Sequence, residues 1–106
     1  MKTYKDYSLI TEAKVDIKLK SGSKIVYGGW TNFIAKINGN LYAIEAKIFE
    51  EPSHFGIDNG KISKLWIYPP KNTGEKEINY DRGWDSKPPK SGDIRKVYDE
   101  FVKRYN

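Results

Sequence analysis

His54 is the single histidine of this chain. It stands in "EEPSHFGIDNG", with the carboxylates of Glu50, Glu51 and Asp58 close by in sequence. An imidazole among carboxylates could ligate a metal or pair a base with an acid. A lone histidine at this spacing matches no metal-site pattern, however, and the segment reads as a polar loop. The second cluster is "YDRGWD", Tyr80 to Asp85, with two carboxylates, a guanidinium and two aromatic rings around Gly83. As a glycosidase pair, Asp81 and Asp85 would need a sugar cleft that so small a domain hardly offers. Gly28-Gly29 is followed by no helical pattern carrying Lys-Ser or Lys-Thr, so it reads as a bulge or bend rather than a phosphate loop. No serine sits in a nucleophile elbow, and neither HExxH nor a P-loop occurs. The expectation is a non-enzyme with no cofactor and no metal. A small hydrolase using Asp81, Asp85 or His54 is the minor alternative.

The 106 residues suffice for one domain, expected over 1–106. Cysteine is absent, which excludes disulfides, thiolate catalysis and Cys-based zinc sites. No apolar run approaches the length of a membrane span, and "MKTYKDYSLITEAKVDIKLK" has no continuous apolar core of a signal peptide. The expected compartment is the cytoplasm of the host cell. The net charge of +5 is unevenly spread. Residues 1–24 carry six lysines against three carboxylates, and residues 86–106 carry six cations against three. Basic ends suit an anionic partner, although a solvated lysine-rich surface explains them as well. Only three of the 19 cations are arginine, which disfavours sequence-specific reading of base edges.

The elements that would carry these residues are legible in the patterning. Lys14 to Lys20 alternates, with Val15, Ile17 and Leu19 on one face of a strand. "SGS" at 21–23 reads as a turn returning through Lys24 to Tyr27, which would set Ile25 opposite Leu19 and Tyr27 opposite Ile17. "TNFIAKINGNLYAIEAKIF" reads as a hairpin turning at Asn38-Gly39 or Gly39-Asn40. Its core face would hold Phe33, Ala35, Ile37, Tyr42, Ile44, Ala46 and Ile48. Pro52 ends that strand, 51–61 form a loop, Ile62 to Tyr68 make another strand, and Glu77 to Tyr80 a short one. Ile94, Val97, Tyr98, Phe101, Val102 and Tyr105 form a continuous helical stripe, with Ser91 as the expected N-cap. The fold class expected is α+β: a single-layer antiparallel sheet of five to six strands with one C-terminal amphipathic helix packed on one face.

"FGIDNGKISKLWI" followed by "YDRGWD", ahead of a short amphipathic helix, resembles a family of small uncharacterised proteins encoded by phages and prophages. The resemblance covers roughly Trp30 to Tyr105, and "GKIS" stands where the family has "GRIS". It brings no catalytic residues. It implies an accessory role, and small phage proteins often antagonise host defences, CRISPR effectors among them.

Two functions follow as expectations. The first is a non-enzymatic protein that binds and antagonises a host defence protein or protein–nucleic-acid complex. The second is direct binding of nucleic acid or a nucleotide signal through lysines and aromatics. Tyr80, Asp81, Arg82, Trp84 and Asp85 are the expected partner contacts, together with Trp66 and Lys61, because Trp, Tyr and Arg dominate interface energetics. A structural role for the same stretch is expected beside it: Gly83 permitting a bend, Trp84 covering the core edge and Arg82 paired with a carboxylate or carbonyl.

Overall fold

The computed structural model describes residues 14–106. The weakly patterned stretch 1–13, with Lys2 and Lys5 of the basic end, lies outside them. Among these residues five strands run β1 (Asp16–Leu19), β2 (Trp30–Ile37), β3 (Asn40–Ile48), β4 (Ile62–Tyr68) and β5 (Ile78–Asp81), and one α-helix, α1 (Asp93–Tyr105), follows. The strands form an antiparallel meander in the order β1-β2-β3-β4-β5, so every connection joins neighbours. This is the α+β layer that the patterning predicts.

The β2–β3 hairpin turns at Asn38-Gly39, with Ile37 paired to Asn40. Both turn residues have positive φ, 51° and 79°, the twist that a two-residue hairpin requires. Phe33, Ala35, Ile37, Tyr42, Ile44, Ala46 and Ile48 are all buried on the face beneath the helix. A register shift near Lys47 and Ile48 places both Ile62 and Ser63 inside at the start of β4. Helix α1 docks through Ile94, Val97, Tyr98 and Phe101. The Phe101 ring meets Phe33 edge-on at 4.9 Å, and Tyr105 packs on both.

Three sequence expectations are corrected. Residues 24–27 do not return against β1. Ile17 pairs instead with Ala35 and Leu19 with Phe33, and residues 20–29 form a long connection that leaves Ile25, Val26 and Tyr27 exposed. Of the face that alternation assigns, Val15 and Ile17 are buried and Leu19 is 39% exposed, and alternation does not specify which strand lies beside β1. Secondly, Ser91 does not cap α1. Gly92 occupies that position with no side-chain cap, and the Ile94 N–H donates to Glu75 Oε2 at 3.0 Å. The carboxylate reaches the helix N-terminus from the β4–β5 connection and also accepts the Tyr42 hydroxyl proton. A negative charge there complements the helix dipole. Burial first, and then the Glu75 hydrogen bond, raise the Tyr42 phenol well above its ordinary pKa. Thirdly, the bend in "YDRGWD" spans Arg82 and Gly83, and its left-handed residue is Arg82, at φ 59°, rather than the glycine.

The "FGIDNG" motif has a structural explanation. Ile57 plugs the core at the start of a 3₁₀ turn (Ile57–Asn59), and Asp58 and Asn59 both adopt positive φ. A Cβ at Gly56 would collide with the Gly60 backbone, and one at Gly60 with the Asn106 side chain. Asn106 holds the loop from the other end, accepting from Ile62 N at 3.0 Å and donating to Ile57 O at 2.8 Å. Asn106, just after α1, therefore closes this loop onto the sheet.

Candidate binding surface

The sheet has two unlike faces because its side chains alternate. One is covered by α1. On the other, the strand register arranges side chains in transverse rows. Trp30, Lys47, Lys64 and Asp81 form the first row, then Asn32, Glu45, Trp66 and Asn79, then Lys18, Ile34, Ala43 and Tyr68. Asp16, Lys36 and Leu41 follow at the hairpin end. No described element covers this face. Trp30 is 45% exposed and Leu41 58%. The Trp30 and Trp66 rings meet edge-to-face at 5.6 Å. Lys47 Nζ lies 5.4 Å and Lys64 Nζ 6.0 Å from the Trp30 ring centre. Tyr68 donates its hydroxyl to Glu45 at 3.1 Å, and burial together with that bond raises its pKa.

The first row runs into a cleft of about 740 Å³ lined by Tyr27, Lys47, Phe49, Phe55, Lys64 and Arg82 together with Glu50 and Glu51. Each aromatic comes from a different segment: the connection before β2, the residue after β3 and the 51–61 loop. All three are exposed, where apolar rings are ordinarily covered. A second cleft, of about 760 Å³, lies between β5 and the segment before α1 and includes Asp85.

The predicted contact residues separate in space. Tyr80 is buried, donates its hydroxyl to Phe55 O at 2.8 Å, and belongs to the core rather than to a docking surface. Burial raises its pKa, with the charge of Asp58 adding to the effect. Trp84 is half-buried, bridging back to Tyr80 and meeting the rings of Tyr80 and Tyr98 edge-on at 4.8 and 5.8 Å. It covers the core edge, as expected. Asp81 is exposed and accepts from Arg82 Nε at 3.1 Å, with Lys64 Nζ 3.5 Å away. Arg82 lines the cleft while its backbone N–H donates to Ser63 O. Trp66 sits on the open face. Lys61 is exposed where its carbonyl accepts from Phe49 N, and Asp85 is exposed on the far side of β5. Thus Trp66, Asp81 and Arg82 share one surface, whereas Asp85 does not. His54 is exposed with its ring 4.0 Å from Phe55.

Patterning missed Trp30, Lys47, Phe49 and Phe55 as candidates. The available signal was the outward register of Trp30 and Lys47 on strands whose inner face was already assigned.

A sequence model of the domain of unknown function DUF7678 matches residues 29–106, well over half of the chain. The chain belongs to the DUF7678 family. Strands β2 to β5, α1 and both sequence motifs fall within the matched residues, whereas β1 precedes them. No curated protein and no solved structure shows significant similarity to the chain.

Proposed function

We propose that this DUF7678 protein is a non-enzymatic phage or prophage accessory protein that binds and antagonises a host defence component. The observation that carries the binding role is the open sheet face, where Trp30, Trp66 and Tyr68 stand among lysines with no described element over them. Large amphipathic rings at such a place are the anchors from which interfaces draw most of their energy. The anti-defence context rests on the resemblance of "FGIDNGKISKLWI" and "YDRGWD" to phage proteins. The partner is a host protein or protein–nucleic-acid complex met inside the host cell. The test is phage plating on strains that carry defined defence systems, CRISPR among them, with and without this protein. Expression restores plating in at least one strain, and Trp30→Ala with Trp66→Ala abolishes the effect while the protein remains folded. Unchanged plating in every strain, or full activity in the double variant, would overturn the reading.

A further inference from the structure

We infer that the cleft and the adjoining rows of the open face form a track for single-stranded nucleic acid. The inference rests on the open face being a binding surface but not on the anti-defence role. Three observations support it. First, Tyr27, Phe49 and Phe55 offer exposed rings at the cleft, and on the sheet Trp30 offers another, with the half-buried Trp66 edge-on to it. Bases stack on such rings whatever their sequence. Secondly, Lys47 and Lys64 belong to both places: they line the cleft and stand over Trp30. The two aromatic groups are thereby joined through cations, a longer surface than one nucleotide fills. Arg82 adds a guanidinium to the lining of the cleft. Thirdly, the few arginines and many lysines suit backbone neutralisation rather than base-edge reading, which matches a strand bound without sequence preference.

The acidic groups around the track make the inference sharper. Glu50 and Glu51 line the cleft, Glu45 lies within the second row, and Asp81 holds both Lys64 and Arg82. A phosphate entering the cleft competes with Asp81 for these two cations. Removing that charge therefore strengthens binding, whereas a role for Asp81 as a direct partner contact predicts the reverse.

Fluorescence polarisation of the purified full chain with short labelled oligonucleotides is the test. Single strands of different sequence bind alike and more tightly than duplex, and affinity falls steeply between about 50 and about 200 mM salt. Trp30→Ala and Phe49→Ala, at exposed positions, each weaken binding about tenfold or more. Lys47→Ala lowers the salt slope by about one, and Lys47→Arg restores it. Asp81→Asn tightens binding. Absence of binding at low salt would overturn the inference. So would equal binding of duplex, unchanged affinity in Trp30→Ala and Phe49→Ala, or full competition by a free mononucleotide at equal concentration, which would make the cleft a nucleotide site. If binding fails while plating is still restored and still depends on Trp30 and Trp66, the partner is a protein surface and the proposed function stands. If strands bind but plating never changes, the track stands without that function.

Discussion

Arg82 and Trp84 are two residues apart and do different work. Trp84 fills the gap between Tyr80 and Tyr98, so its loss removes packing against the core. Arg82 is held to Asp81 at the surface, where its side chain keeps 62% of its exposure. Exposed ion pairs contribute about 0–1 kcal/mol, because water screens them and ordering two long side chains costs entropy. Arg82→Ala is therefore expected to change stability by less than about 1 kcal/mol. Trp84→Ala should cost about 2–3 kcal/mol, from lost apolar burial and two edge-to-face contacts. Denaturant melts of the two variants decide this. An equal loss in both would mean that the Arg82 pair stabilises the bend far more than its exposure allows.

At the scale of elements, the helix and the sheet depend on each other. A 13-residue helix is marginal alone, and α1 is held by its apolar stripe, by Glu75 at its first turn and by Arg104, whose guanidinium donates to Ile17 O at 3.2 Å. Phe101 is fully buried against Phe33. Phe101→Ala should cost about 3–5 kcal/mol, since the cavity lies between two rigid layers and cannot collapse. Chemical denaturation of that variant checks the value. A loss below about 1 kcal/mol would mean that the helix is peripheral to the core.

For the molecule as a whole, several phenols are held protonated by the fold. Tyr42, Tyr68, Tyr80 and Tyr98 all have pKa values raised above the ordinary 10.0, in each case chiefly by burial. A raised pKa in the folded state means that the unfolded chain loses its phenolic protons first. The stability these groups contribute is complete below pH about 10 and is lost as pH rises through the raised values. Circular dichroism and phenolate absorbance followed together should therefore show these tyrosines ionising as the protein unfolds, above pH about 10. Complete ionisation near pH 10 in a chain that stays folded would contradict the packing around Tyr42 and Tyr80.

Periodicity alone determined much of this protein. The buried face of the β2–β3 hairpin, its two-residue turn, strand β4 and the stripe of α1 follow from apolar residues recurring at two or at three to four positions, which is a local property. Tertiary structure decided what periodicity does not encode. The partner of β1 is β2 rather than residues 24–27, because alternation carries a face and no address. The cap of α1 comes from Glu75 rather than Ser91, because a carboxylate brought in by the β4–β5 connection reaches the helix N-terminus where no neighbouring side chain does. The cleft gathers Tyr27, Lys47, Phe49, Phe55, Lys64 and Arg82 from segments scattered over more than half of the described chain. Nothing in their local spacing marks them as neighbours. They meet because antiparallel pairing brings the ends of β2, β3, β4 and β5 to one corner of the sheet.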